Sequence, residues 1–114
     1  MRIPRPSARQ VILYSAVLAV LIEAATILCR FGLHLESTRE TASTVGRLTG
    51  GIRIHHGYLG LLAVLLGAAV LRRRPATARW LLVVGIGLVA SDLVHHFLVL
   101  WPIVGSPEFH LVYP

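Results

Sequence analysis

The chain has 114 residues, 55% of them hydrophobic and only 14% charged, whereas an average water-soluble domain carries about 25% charged residues. So short a chain has little aqueous core in which to bury that much apolar side chain, which argues against a soluble domain and for a single integral membrane domain over residues 1–114. The net charge of +6 comes wholly from arginine; these arginines flank apolar runs and do not interleave with aromatics, which excludes a nucleic-acid surface.

The first apolar run, 11–29, is broken only by Glu23 and predicts a helix over about 10–31. Arg2, Arg5 and Arg9 before it would suit a signal peptide. Glu23, Arg30 and the lack of a small-x-small cleavage site do not. Cys29 lies in this run; as the single cysteine it forms no intrachain disulfide, and it reads as a small buried hydrophobe. Next, Ser37 with Glu40 matches a capping box and Gly50-Gly51 a helix stop, predicting a short surface helix over about 38–48.

The second run, 54–71, is closed by Arg72, Arg73, Arg74 and Pro75 and predicts a helix over about 52–72. The third, 80–101, is bracketed by Trp80 and Trp101 as interface anchors, closed by Pro102, and predicts a helix over about 78–101. Each run approaches the roughly 20 residues that cross about 30 Å of hydrocarbon, where the backbone must satisfy itself by helix formation. The expected fold is all-α, with three transmembrane helices and a short extracytoplasmic helix. The proline-containing tail, 102–114, is expected to lie across the outer mouth of the bundle.

Three passes put Arg2, Arg5, Arg9, Arg72, Arg73, Arg74 and Arg79 on one side, against Arg30, Arg39, Arg47 and Arg53 on the other. The excess places the N-terminus in the cytoplasm and the C-terminus outside.

Ionisable side chains within a span are penalised by at least a few kcal/mol, so each marks a function. Glu23, His55, His56, Asp92, His95 and His96 are the six here. At 1.5 Å per residue, Glu23 lies about 9 Å inside the outer end of its helix, His55 and His56 about 2–3 Å, and His95 and His96 about 8–9 Å. Antiparallel threading therefore brings all six toward one leaflet. Asp92, His95 and His96 stand at i, i+3 and i+4 on one face. Ala16, Ala19, Glu23, Thr26 and Arg30 form a small and polar stripe on the first helix, and His56, Gly60, Ala63 and Gly67 another on the second, both marking packed faces. His55 is rotated by about 100° from His56, so on an ideal helix only one of them points at the centre.

Imidazoles and carboxylates are the ligand set for Fe, Zn or Cu. These six residues predict one transition-metal site, or two adjacent ones, with His55 as ligand or outer support and with Glu108 and His110 as possible caps. The plainer readings are interfacial histidines, interhelical hydrogen bonds, or a Glu23–Arg30 pair.

The string Arg53-Ile54-His55-His56-Gly57-Tyr58-Leu59-Gly60, with Gly85-Ile86-Gly87-Leu88-Val89-Ala90-Ser91-Asp92, resembles small prokaryotic multi-span membrane proteins that carry an Ile-His-His…Gly helix and a Gly-x-Gly-Leu…Asp helix. The resemblance covers about half the chain and implies no activity. The functions in view are a metal-dependent membrane enzyme (oxidation or hydrolysis) or a metal-handling protein. A b-type haem carrier with axial His56 and His96, an accessory subunit of a larger membrane complex, and an ion relay are the alternatives. Partners are the lipid bilayer and, given the small-residue faces, a homo-oligomer or other membrane subunits.

Overall fold

The computed structural model describes residues 2–114, except the side chain of Ser37. Among the described residues six α-helices follow one another: α1 (Ala8–Ile27), α2 (Ser37–Thr41), α3 (Val45–Leu48), α4 (His56–Val70), α5 (Pro75–Leu93) and α6 (Trp101–Val104). No strand occurs among the described residues. Helix α1 runs on through a π-helical turn, Leu28–Gly32, and α5 through a π-helical segment, Val94–Leu100, into α6. Two continuous helices, Ala8–Gly32 and Pro75–Val104, are long and apolar enough to cross a membrane; the apolar α4 is shorter.

Local chemistry sets these boundaries. Ser7 Oγ accepts from the Gln10 N–H at 3.1 Å and Gln10 Oε1 accepts from the Ser7 N–H at 2.8 Å, a reciprocal cap that starts α1 two residues before the apolar run predicts. Pro75 opens α5, where its missing N–H is no loss. Pro102 does not end the helix, because it occupies the first turn of α6; the helix stops at Gly105, at φ 85°.

Two expected elements differ. The helix expected over 38–48 is two short pieces, broken at Thr44, and α2 is entered from Glu36; the expected capping box at Ser37 falls on a side chain outside the described residues. Helix α4 begins at His56, not near 52, because the segment before it is extended and pairs with the tail. The Arg53 N–H donates to Leu111 O at 3.0 Å, the Tyr113 N–H to Gly51 O at 2.8 Å, and Ile52 bridges Val112.

Helix α5 is central, with α1 and α4 packed on it and scarcely on each other. Along α4 the approach is backbone to backbone: a Cβ on Gly60 would meet Gly85 O at 2.7 Å, and one on Gly85 would meet Gly60 O at 2.6 Å. Gly67 sits against Ala78 O in the same way, so the pair is antiparallel. Helix α1 runs parallel to α5, Leu18 lying on Gly87 and Ser15 Oγ reaching Val83 O at 3.4 Å. The packed stripe of α1 therefore includes Ser15, while Ala16 is exposed. Among the described residues the buried side chains are mostly polar, including Ser15, Glu23, His55, Ser91, Asp92 and His96, whereas Ile12, Val20, Leu21, Leu65 and Leu98 face outward.

Candidate metal centre

At the end of the bundle where α1 and α5 lead into their π-helical turns, three side chains converge. His55, Asp92 and His96 are 4%, 3% and 4% exposed, and each offers one ligand atom within 4.8 Å of the other two. His55 Nδ1 lies 3.3 Å from His96 Nε2. Asp92 Oδ1 lies 3.8 Å from the former and 3.6 Å from the latter.

What fixes these atoms is the C-terminal tail. His55 Nε2–H donates to the carbonyl of His110 at 2.9 Å, and His96 Nδ1–H donates to the carbonyl of Pro107 at 2.7 Å. A carbonyl only accepts, so each ring carries its proton on the tail side and, when neutral, turns a lone pair inward. Asp92 Oδ1, also aimed there, is buried without a hydrogen-bond partner. With both rings neutral, three acceptors thus meet with no donor among them.

The tail is itself tied down. Glu108, at φ 50°, accepts from Arg30 at 2.9 Å and, through its carbonyl, from Arg53 at 2.9 Å. Arg30 also pairs with Glu36 at 2.6 Å. Phe109 stacks on His55 with ring centroids 4.1 Å apart. Arg53 is buried beside these groups.

The six expected residues separate into parts. His55, Asp92 and His96 form the central group. His56 Nδ1 reaches 3.4 Å from Asp92 Oδ1, while His56 Nε2 contacts Ser91 Oγ at 2.9 Å. Glu23 and His95 pair with each other, Nδ1 to Oε1 2.8 Å, so Glu23 does not pair with Arg30. The expected order of the two adjacent histidines is reversed: His55 is enclosed and His56 half-exposed. His55 precedes α4 in extended conformation (φ −85°, ψ 144°), so the 100° rotation of helical neighbours does not apply to it. His110 contributes its carbonyl while its ring is exposed, and Glu108 acts on the tail.

Beside the group lies a cavity of about 580 Å³, between α1 and the start of α4. Ile22, Thr26 and Cys29 line one wall, and His56, His95 and Arg53 are part of the other. Cys29 is exposed, not buried as expected, because the π-helical turn that begins at Leu28 places it on this wall. Sequence reasoning missed Arg53 and the two tail carbonyls. Arg53 carried a signal, a charge adjoining the His-His pair; the carbonyls carried none.

No known protein family, curated protein or solved structure matches this chain.

Proposed function

We propose that this is a three-pass membrane protein whose His55 Nδ1, Asp92 Oδ1 and His96 Nε2 bind a transition-metal ion, and that it is a metal-dependent enzyme working on substrate admitted through the adjoining cavity. The carrying observation is the meeting of three buried ligand atoms, two of them on rings whose other nitrogens face backbone carbonyls and one a carboxylate oxygen without a hydrogen-bond partner. An ion about 2.0–2.2 Å from its ligands sets neighbouring ligand atoms about 3.3–3.6 Å apart, and the three separations here are 3.3, 3.6 and 3.8 Å. Both histidines donate their remaining N–H to a backbone carbonyl, the usual outer support of a metal-binding imidazole.

Three protein ligands leave a coordination position free, the pattern of catalytic rather than structural zinc-type sites. The free position adjoins a cavity whose walls are part apolar and part polar, which suits an amphipathic substrate. Such an ion polarises a bound carbonyl or phosphoryl oxygen and activates water. Imidazole and carboxylate suit Fe, Zn and Cu alike.

The membrane assignment is supported by the outward-facing leucines, valines and isoleucines of α1, α4 and α5. Helix α4 alone is about 22 Å long, from its 15 residues, so its extended lead-in and the Arg72 to Arg74 turn complete the crossing. The seven-to-four arginine imbalance favours a cytoplasmic N-terminus, which puts the metal group near the extracytoplasmic face. No contact favours haem: of the two histidines expected as axial ligands, His56 is turned to Ser91 Oγ at 2.9 Å and Asp92 Oδ1 at 3.4 Å, and His96 Nε2 lies 3.3 Å from His55 Nδ1.

One rival rests on the same geometry. A proton shared by His55 and His96, countered by Asp92, would also reconcile the three acceptors and would make the group a charged interhelical clasp. Metal analysis of detergent-purified protein decides. First-row metal retained by the wild type and lost in Asp92→Ala supports the centre; no saturable binding of Zn²⁺, Fe²⁺ or Cu²⁺ refutes it and leaves the proton clasp.

A further inference from the structure

A second hollow lies at the end of the bundle opposite the metal group. The N-terminal segment ahead of α1 folds against the start of α5: Arg79 Nη1 donates to the carbonyl of Pro6 at 2.7 Å, and Trp80 Nε1–H to that of Pro4 at 2.8 Å. Tyr14 of α1 stacks on Trp80, with ring centroids 5.7 Å apart. Together these contacts frame a groove of about 590 Å³, lined by Ile3, Pro4, Thr77, Trp80, Leu81 and Val84.

The lining is apolar apart from the Thr77 hydroxyl and the indole N–H, and the latter is spent on Pro4 O. Ile3 and Val84 are exposed. From Thr77 to Val84 the groove follows α5 for about 10 Å, at 1.5 Å per residue. Trp80 marks this level as the membrane interface, so the groove leads from the headgroups into the hydrocarbon. Its shape and chemistry suit an acyl chain.

Charge says which lipid. All five carboxylates of the chain, Glu23, Glu36, Glu40, Asp92 and Glu108, belong to the metal end. The groove end holds Arg2, Arg5, Arg9, Arg72, Arg73, Arg74 and Arg79. Among the described residues none of these seven is in an ion pair, whereas Arg30 pairs with Glu36 and Glu108, and Arg39 with Glu40. Arg2 and Arg5 flank the two groove residues of the N-terminal segment, and Arg72 to Arg74 immediately precede the helix that supplies Thr77. The chain therefore offers these cations no counter-charge of its own. A phosphate does so, accepting the paired N–H groups of a guanidinium.

We propose that this groove seats an acyl chain of one anionic phospholipid whose phosphate is held at its mouth by Arg2 and Arg5. This rests on the membrane reading above and is independent of the metal. The bound lipid fastens the N-terminal segment to α5 and anchors that end of the bundle in the negatively charged cytoplasmic leaflet.

Trp80 reports on the groove directly. The chain has two tryptophans, so Trp101→Phe leaves Trp80 as the single fluorophore. That protein is reconstituted into phosphatidylcholine vesicles with rising fractions of phosphatidylglycerol or phosphatidylcholine carrying brominated chains, and quenching is recorded. Brominated phosphatidylglycerol should reach half-maximal quenching at a mole fraction about 5-fold or more below that of brominated phosphatidylcholine, the scale of one arginine beside an anionic headgroup. Arg2→Gln/Arg5→Gln, changed at exposed positions, should lose most of that preference with its helical circular dichroism unaltered. Equal quenching by the two lipids in the parent protein, or a preference undiminished in Arg2→Gln/Arg5→Gln, overturns the site. So does a Trp80 shielded from both lipids, the result if a second copy of the chain covers the groove. Failure of the parent protein to float with the vesicles overturns the membrane reading itself.

Discussion

Gly57 in the first turn of α4 is the sharpest single probe of the centre. A Cβ built there would lie 2.6 Å from Asp92 Oδ2 and 3.1 Å from both Asp92 Cβ and Cγ. Ordinary contact begins near 3.4 Å, so in Gly57→Ala the carboxylate must retreat by roughly 0.8 Å, well outside the about 0.2 Å tolerance of a metal–ligand distance. The effect expected is a loss of Zn²⁺ affinity of about 10- to 100-fold, the scale set by displacing a support of a ligand, or about 1.4–2.8 kcal/mol. Stability should move little or in the opposite direction, because alanine is favoured over glycine in a helix by about 0.5–1 kcal/mol and Gly57 has no positive φ to preserve. Competition against a zinc-sensitive dye, run beside thermal unfolding of the apo protein, separates the two effects. Wild-type zinc affinity in a folded Gly57→Ala would refute the claim that Asp92 is held in place against the start of α4 in order to bind a metal.

Two further perturbations examine the surroundings. Removing residues 106–114 takes away the carbonyls that receive the His55 and His96 protons and should weaken zinc about 10- to 100-fold while leaving the helical signal of α1, α4 and α5 intact; unchanged affinity by dye competition would show that the tail does not set the tautomers. Cys29, the single cysteine, lines the cavity beside the centre, so a membrane-impermeant maleimide should label it in intact vesicles from the side opposite the N-terminus. Labelling from the N-terminal side, read by a gel shift, would reverse the proposed topology.

The broad plan was legible because it follows from composition and spacing. Apolar runs in a short chain force helices, and Gly60 and Gly67 one helical face apart forecast the tight α4–α5 contact that the backbone approach to Gly85 and Ala78 exhibits. Counting residues from the helix ends placed Glu23, Asp92 and the four histidines at a common level, and they do meet in pairs and in a trio. Where the count failed, the backbone had left the helix. His55 lies before α4 rather than in it, so a rotation rule for helices ranked it below His56 when it is in fact the more enclosed of the two. Nor does any side-chain pattern announce Ser15, whose hydroxyl bonds Val11 O of its own helix at 2.7 Å and reaches Val83 O of α5 at 3.4 Å.

Sequence by itself determined that residues able to carry charge sit within apolar helices and at one end of them, since helix rise and apolar length depend only on residue order. Only the tertiary structure decided which atoms face each other. The tail returns over the bundle end, held by Arg30, Arg53 and the pairing of Ile52 with Val112, and its carbonyls choose the protonated nitrogen of His55 and His96. Backbone carbonyls are the same in every residue, so a choice made by them leaves no trace in the amino-acid sequence and exists only once the chain has folded.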